Sequence, residues 1–262
     1  MAQLVKEEQA VGDKHIKYYK SGNSDDTLLF FHGGATPPTM YQNLLSILGE
    51  RFKVIAPMMY GIPITDANPR SMKEYAELTY EFCRSLGIQP KAFLGHSFGA
   101  AVSLVYAKAY EDDPTSPEYI VSICPPIPGC GLYRMYRGIF KILRDDKKKK
   151  KRIGISRSND RSGKRSIFYI PPYLKHATSN IGIQIKISRE IKRFRIDRLN
   201  IAQRLLVLHC EHDQFFDLDQ DLEGLITEPD NIDLDRIDAD HLYPFTNPED
   251  AARRIFRFVG DE

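Results

Sequence analysis

The most constraining feature of this chain is the pentapeptide Gly95-His96-Ser97-Phe98-Gly99, which has the pattern G-x-S-x-G. It follows a short apolar run, residues 92–94, and precedes an apolar stretch rich in helix formers that extends to residue 109. That order predicts a strand, a sharp turn and a helix. The turn holds its serine in a strained backbone conformation, and side chains at positions 95 and 99 would collide with neighbouring elements. Ser97 is therefore a candidate nucleophile.

Further apolar runs predict a parallel sheet around this turn. Residues 27–31, 119–124 and 204–210 are largely apolar, as strands buried on both faces are. Amphipathic helices are predicted at residues 39–50 and 71–87. Alternating strands and helices are typical of an α/β fold, here with a mostly parallel central sheet and helices on both faces. The remaining predicted elements are strands at residues 15–20, 52–57 and 231–237 and a helix at residues 251–259.

With these features the sequence resembles the α/β-hydrolase superfamily over most of its length, apart from a central insert. The resemblance implies the α/β-hydrolase fold, with one core domain formed by residues 1–124 and 200–262. Residues 125–199 break the alternation of strands and helices, and the family has its variable lid or cap at this point. The resemblance also implies that Ser97 is the catalytic nucleophile on its elbow.

The turn after the strand at residues 27–31 has the sequence His32-Gly33-Gly34. Open α/β sheets bind ligands at the carboxyl ends of their strands, so a site is expected here. In similar hydrolases the residue after the H-G pair donates one backbone N–H to the oxyanion hole, and the residue after the nucleophile donates the other. The resemblance therefore implies Gly34 and Phe98 as the two donors.

The resemblance also implies an acid and a base. In similar hydrolases an aspartate shortly after the strand at residues 204–210 orients the catalytic histidine, which indicates Asp213. The base in these relatives follows the last strand and precedes a helix that begins with proline, and His241 occupies that place. The order Ser97, Asp213, His241 matches the order of nucleophile, acid and base in α/β-hydrolases.

The central insert is strongly basic. Residues 134–198 contain 21 Lys and Arg against 5 Asp and Glu, although the whole chain carries a net charge of +2. A helix with an apolar stripe over the pocket is predicted at residues 131–146, and the basic run Lys147 to Arg152 follows it. Residues 181–196 alternate between apolar and polar in their first half and then suit a basic helix.

The run Lys147 to Arg152 has three interpretations. It is a solvated loop, or it attracts an anionic substrate to the pocket mouth, or it binds a membrane surface or nucleic acid. No nucleic-acid module and no interleaved aromatic residues accompany it, so no nucleic-acid partner is expected.

Two clusters have metal-binding residue types, but neither has the arrangement of a metal site. Residues 209–213 contain two histidines, a cysteine and an aspartate, although successive strand residues point to opposite faces of the sheet. Residues 217–228 have acids at the spacing of a calcium loop, with Leu222 where such a loop needs glycine. A helix amino terminus rich in acids accounts for that cluster better. Neither a metal nor a cofactor is expected.

The cellular context follows from what the sequence lacks. No run of 18 apolar residues and no signal pattern occurs, which predicts a cytoplasmic protein without stable membrane insertion. The four cysteines form no C-x-x-C pair, and reduced thiols are favoured over disulfides or metal ligation. The sequence leaves the oligomeric state open.

The expected function is that of a serine hydrolase that cleaves small carboxylic esters or thioesters through an acyl-enzyme. The substrate is a small acyl compound, and an anionic one would suit the basic insert. The same triad would also serve a carbon–carbon bond hydrolase, a lactonase or a hydroxynitrile lyase. A ligand-binding member of the fold without activity is the alternative from another class. Dehalogenases and epoxide hydrolases of this fold have aspartate where Ser97 stands, which disfavours them.

Overall fold

Eight strands form one mixed sheet in the computed structural model of the protein. The structure describes residues 2–34, 36–59, 69, 71–126, 181–194, 201–213, 215 and 230–260. The strands are β1 (Val5–Val11), β2 (Lys14–Ser21), β3 (Thr27–Phe31), β4 (Lys53–Pro57), β5 (Ala92–His96), β6 (Tyr119–Ile123), β7 (Arg204–Cys210) and β8 (Ile232–Ile237). Their order is β1-β2-β4-β3-β5-β6-β7-β8. All neighbours from β4 onward pair in parallel, whereas β2 is antiparallel to both β1 and β4.

Helices cover both faces of this sheet. They are α1 (Gln42–Leu48), α2 (Met72–Leu86), α3 (Phe98–Ala109), α4 (Ile181–Arg193), α5 (Tyr243–Thr246) and α6 (Pro248–Val259). One apolar core lies under α2, α3 and α4, and the other lies under α1, α5 and α6. Successive residues of β5 divide between the two cores, with Phe93 in the first and Leu94 in the second. The predicted α/β architecture is confirmed.

Helix α2 illustrates how well local sequence signals set the boundaries. Ser71 is its N-cap, and the serine hydroxyl accepts a hydrogen bond from the Glu74 N–H at 3.1 Å. Gly87 ends the helix with a φ of 62°, in the left-handed region that favours glycine. The predicted helix at residues 71–87 therefore agrees with the structure, with its first and last residues acting as caps.

Three elements differ from the sequence predictions. Strand β1 was not predicted, because most of its residues are partly or fully exposed and its order comes from pairing with β2. The single helix predicted at residues 39–50 is instead a 3₁₀ turn, Pro38–Tyr41, followed by α1. Residues 181–196 alternate between apolar and polar in their first half, yet α4 is helical from its first residue. The buried residues Ile187, Ile191 and Phe194 lie four and three positions apart, which is helical spacing.

Helix α4 and its next residue form most of the described part of the predicted insert. It packs against the core, and the Glu190 carboxylate accepts a hydrogen bond from the Met72 N–H at the start of α2, at 3.2 Å. The predicted helix at residues 131–146, the run Lys147 to Arg152 and the acidic cluster at residues 217–228 lie outside the described residues. Within the described ranges, no helix combines the length and apolar character that a membrane span requires.

Candidate active site

Ser97 lies on a strained turn between β5 and α3. Its φ is 53° and its ψ is −123°, a combination that costs free energy for a residue with a side chain. A hydrogen bond to the neighbouring strand holds the turn, because the Ser97 N–H donates to the Ile123 carbonyl at the end of β6, at 2.9 Å. The strand, turn and helix predicted from the G-x-S-x-G pattern are thus confirmed.

Both glycines of the pattern are required by close backbone approach. A Cβ on Gly95 would lie 2.5 Å from the Cα of Ala100, in the first turn of α3. A Cβ on Gly99 would lie 2.1 Å from the Phe31 carbonyl oxygen and 2.4 Å from that of His32. Gly99 therefore lets α3 begin directly against the end of β3, where the predicted oxyanion turn starts.

The peptide that carries the Gly34 N–H is held by its carbonyl end. The Gly33 oxygen accepts hydrogen bonds from the Thr36 N–H at 3.1 Å and from the Thr36 hydroxyl at 2.8 Å. His32 Nε2 accepts the Met59 N–H at 3.1 Å, so His32 Nδ1 carries the proton and donates to Gly33 O at 2.8 Å. In a trans peptide the C=O and N–H point in opposite directions, and these bonds therefore fix the direction of the Gly34 N–H.

The second predicted donor, Phe98, is the first residue of α3. First-turn N–H groups have no acceptor within their own helix, and the helix dipole makes this end favourable for negative charge. Strands β3 and β5 are parallel neighbours in which Phe31 pairs with Gly95. The turns after both strands, which contain Gly34 and Phe98, therefore emerge at the same edge of the sheet.

Asp213 and His241 form a close and largely buried pair. Asp213 Oδ2 lies 2.7 Å from His241 Nδ1, and the two side chains are 2% and 9% exposed. The other carboxylate oxygen accepts the Phe215 N–H at 2.7 Å. A carboxylate at this distance from Nδ1 accepts its proton in a hydrogen bond, which leaves the Nε2 lone pair as the basic position of the ring.

Hydrogen bonds between the loops after β7 and β8 bring this pair together. The Glu211 N–H donates to the Ile237 carbonyl at 2.9 Å, and the His212 N–H donates to the Ala239 carbonyl at 3.0 Å. The chain after each strand is thus fixed relative to the other before either functional side chain is reached. Predicted residues 28 positions apart in the sequence become neighbours for this reason.

The His241 ring contacts two other rings. The centroid of His96 is 4.8 Å away and that of Phe215 is 4.5 Å away. His96 immediately precedes Ser97, so the predicted base lies beside the nucleophile turn. The structure therefore brings Asp213 and His241 together at the edge of the sheet where Ser97 lies, and the hydrogen bond between Ser97 and His241 stays a prediction.

Two residues of this region, Tyr41 and His96, were not singled out by sequence reasoning. Tyr41 Oη lies 2.7 Å from His96 Nδ1, and His96 Nε2 lies 3.1 Å from the His241 carbonyl oxygen. Tyr41 has the pattern of an apolar helix-face residue, and His96 is one of the variable positions of the G-x-S-x-G pattern. No local signal marks their contact, since they are 55 positions apart.

Among the described residues, His96, Cys124 and His241 offer metal-ligating atoms within 4.8 Å of one another. A metal ion there would have to displace one of the two hydrogen bonds of the His96 ring, since it would bind through Nδ1 or Nε2. Burial also raises the pKa of the Cys124 thiol well above its usual range, with a further increase from the neighbouring Cys210 thiol. The hydrogen bonds already made by these groups account for the cluster better than a metal does.

His32 makes stability depend on pH. Complete burial lowers the pKa of its imidazole from 6.5 to about 4. The unfolded chain binds this proton below pH 6.5 while the folded protein does not, so stability is lost as the pH falls from 6.5 to about 4. At about 1.4 kcal/mol per pKa unit, the loss amounts to about 3 kcal/mol.

Asparagine does not titrate in this pH range, so the stability of the variant His32→Asn should depend less on pH than that of wild type. The variant should also be less stable at pH 7, because the imidazole hydrogen bonds with Met59 and Gly33 are lost. Urea unfolding at pH 7 and pH 4.5 measures both, and other groups, including His96, cancel in the comparison with wild type. Equal pH dependence of the two proteins would show that His32 titrates normally in the fold.

Comparison with known sequences supports the same fold. The family model described as alpha/beta hydrolase fold matches residues 26–129. The chain is 30% identical over 83 residues to the magnesium-chelatase 30 kDa subunit of Rhodobacter capsulatus, which covers 30% of this chain and 29% of that protein. It is 28% identical over 117 residues to a bifunctional esterase/perhydrolase of Acinetobacter calcoaceticus, which covers 42% of each. The matched segments thus span less than half of these relatives.

Solved structures extend the likeness to nearly the whole chain. A carboxylesterase of Bacillus subtilis superposes with a TM-score of 0.70 and 17% sequence identity, over 99% of this chain and 93% of that one. At that identity the likeness concerns the fold. The strand order, the nucleophile turn, the family model and the superposition agree, and they identify the chain as an α/β-hydrolase fold protein.

Proposed function

We propose that the protein is a serine hydrolase that cleaves carboxylic esters or thioesters through an acyl-enzyme, with Ser97, Asp213 and His241 as its triad. The observation that carries this proposal is the buried contact of 2.7 Å between Asp213 Oδ2 and His241 Nδ1, beside the strained turn that bears Ser97. A buried carboxylate that orients a histidine near a strained serine is the arrangement needed for nucleophilic catalysis.

In the first step His241 Nε2 accepts the proton of the Ser97 hydroxyl while the serine oxygen attacks the substrate carbonyl. Asp213 holds the proton on Nδ1, so that Nε2 presents its lone pair, and stabilises the imidazolium that forms. The negative charge that develops on the carbonyl oxygen is stabilised by the N–H groups of Gly34 and Phe98. Two such donors contribute several kcal/mol to the transition state.

The tetrahedral intermediate then collapses, and the imidazolium returns its proton to the departing alcohol or thiol. Water enters, His241 removes one of its protons, and the resulting hydroxide attacks the acyl-enzyme. The acid is released and Ser97 regains its proton from His241. This sequence needs neither a redox change nor a metal.

The substrate class is proposed from two further considerations. An esterase/perhydrolase and a carboxylesterase are among the similar proteins, which supports ester cleavage. The 21 basic residues at positions 134–198 favour an anionic acyl substrate, because positive charge near a pocket raises the local concentration of anions. We propose that the insert, residues 125–199, acts as the lid.

A fluorophosphonate probe and short-chain nitrophenyl esters test this proposal. Wild-type protein is expected to gain the mass of one phosphonyl group, mapped to the peptide that contains Ser97, and to release nitrophenol with steady turnover. Neutral and carboxylated esters of the same chain length are compared to examine the charge preference.

Two results would contradict the proposal. A phosphonyl group on another residue would assign the nucleophile elsewhere. Absence of both adduct and turnover across esters and thioesters would favour a ligand-binding protein that keeps the fold without the activity.

A further inference from the structure

A continuous chain of buried hydrogen bonds joins the predicted oxyanion turn to the backbone of His241. The Gly33 N–H donates to Tyr41 Oη at 3.0 Å, and the Thr36 hydroxyl lies 2.8 Å from the same oxygen. Tyr41 Oη lies 2.7 Å from His96 Nδ1, and His96 Nε2 lies 3.1 Å from the His241 carbonyl oxygen. Tyr41 and His96 are each 1% exposed, so water does not compete for these bonds.

The partners at the two ends determine where every proton lies. The His241 carbonyl oxygen can only accept, so His96 Nε2 must carry the proton. A neutral imidazole then has its lone pair on Nδ1, which must accept from the Tyr41 hydroxyl. The Tyr41 oxygen is left to accept from the Gly33 N–H, and the single proton of the Thr36 hydroxyl, which lies 2.8 Å from both Tyr41 Oη and the Gly33 carbonyl oxygen, is shared between these two acceptors. The donors from the Gly33 N–H through Tyr41 to His96 therefore point in one direction, from the oxyanion turn towards His241.

The same atoms explain why position 33 is glycine. A Cβ there would lie 2.8 Å from Thr36 Oγ1, 3.0 Å from His96 Nδ1 and 3.1 Å from Tyr41 Oη. The space beside the turn is thus filled by the polar atoms of this chain, and any side chain at position 33 would push them apart. The second residue of the H-G-G turn is matched to Tyr41 and His96 as well as to the turn itself.

We propose that Tyr41 and His96 are positioning residues that hold the oxyanion turn and the catalytic base in one fixed relation to each other. The inference rests on the proposed function. The Gly33 amide is fixed by Tyr41, and the next peptide carries the Gly34 N–H that is proposed to bind the oxyanion. The backbone of His241 is fixed by His96. Neither residue touches the reacting atoms in this proposal.

A neutral His96 is also what the reaction requires. Burial lowers the pKa of His96 well below its ordinary value, and the neighbouring His241 lowers it further. The two ring centroids are 4.8 Å apart, and the mechanism places a positive charge on His241 in each half-reaction. A second cation at this distance would oppose that charge, so a ring that donates a hydrogen bond without carrying charge suits the position.

Removing the Tyr41 hydroxyl tests the inference against a matched control. Tyr41→Phe is expected to lower kcat for nitrophenyl ester hydrolysis by about 10- to 100-fold with KM within about threefold of wild type, since displacement of catalytic groups by about 1 Å has that effect. The control is Tyr106→Phe. Tyr106, a residue of α3, is also fully buried, and its hydroxyl donates to Thr115 Oγ1 at 2.7 Å, outside the hydrogen bonds that join the oxyanion turn to His241. It should lose thermal stability to a similar degree and keep kcat within about twofold of wild type.

Two variants of His96 test its two hydrogen bonds separately, the one with Tyr41 and the one with the His241 carbonyl oxygen. His96→Asn keeps an acceptor near the Nδ1 position for Tyr41, and His96→Gln keeps a donor near the Nε2 position for the His241 carbonyl. Each should lower kcat. Because Tyr41 and His96 act in one chain, the double variant Tyr41→Phe with His96→Asn should lose less than the product of the two single losses. A loss equal to that product would overturn the coupling.

NMR spectroscopy tests the proposed protonation of His96 independently of catalytic turnover. In ¹⁵N-labelled Ser97→Ala protein, the His96 imidazole is expected to be neutral at pH 7 with its proton on Nε2. A proton on Nδ1, or a charged ring, would overturn the inference. Unchanged kcat in Tyr41→Phe, or an equal loss in Tyr106→Phe, would also overturn it. Failure of the proposed function is distinguishable, because wild-type protein would then show no turnover that depends on Ser97.

Discussion

Replacing Ser97 by alanine is expected to lower kcat for ester hydrolysis by about 10⁴-fold or more while the protein stays folded. The serine oxygen is the atom that forms the acyl bond, and alanine offers none in its place. The backbone contact of this position is unaffected, since the hydrogen bond to the Ile123 carbonyl comes from the main-chain N–H. Residual rate would come from substrate binding and the oxyanion donors alone.

Ser103→Ala is the matched control for this variant. Ser103 lies on α3, the helix that follows Ser97, is fully buried and donates its hydroxyl to the Ala100 carbonyl at 2.8 Å. Its removal should leave kcat within about twofold of wild type, because it belongs to the helix and not to the proposed site. A Ser97→Ala protein that keeps more than a tenth of the wild-type kcat would show that another group attacks the substrate.

The nucleophile turn and the sheet could be predicted because their physical causes are local. Strands β3, β6 and β7 are buried on both faces, and each therefore shows a largely apolar run in its own sequence. The strain at Ser97 and the close contacts at Gly95 and Gly99 also appear within five consecutive residues. Such features can be recognised without knowing which other parts of the chain lie nearby.

The elements that were missed owe their structure to distant partners. Strand β1 has exposed side chains along most of its length and is ordered by its pairing with β2. Helix α4 has an alternating sequence at its start, yet its buried residues Ile187 and Ile191, together with Phe194 directly after the helix, pack against the core. In both cases the local sequence did not determine the secondary structure, and contacts with distant residues did.

The candidate site divides in the same way. Asp213 and His241 could be placed after their strands by their likeness to a family pattern, and the structure brings them within 2.7 Å. The chain of Tyr41 and His96 could not be predicted, because it joins a 3₁₀ turn to the end of β5 and then to a carbonyl 145 positions further on. These hydrogen bonds form because three distant segments of the chain pack together, and no periodic pattern in the sequence predicts that packing.

Replacing Asp213 by asparagine is expected to lower kcat by about 10⁴-fold, as the loss of the carboxylate does in other serine triads. Asp213 Oδ1 accepts the Phe215 N–H at 2.7 Å, and the asparagine oxygen will keep this bond. The amide NH₂ then faces His241 Nδ1, where the carboxylate accepted a proton before. Two N–H groups cannot face each other, so the His241 proton moves to Nε2 and the ring can no longer accept the proton of Ser97.

The exposed pair of His212 and Asp238 supplies the control for this variant. Asp238 Oδ1 lies 2.8 Å from His212 Nε2, with the two side chains 87% and 66% exposed, at the same edge of the sheet. Asp238→Asn should leave kcat within about twofold of wild type, because exposed ion pairs contribute little. ¹⁵N spectra of Asp213→Asn should show the His241 proton on Nε2, with a melting temperature close to that of wild type. If the proton stayed on Nδ1 while kcat fell, Asp213 would act through its charge on the imidazolium and not through the tautomer of the base.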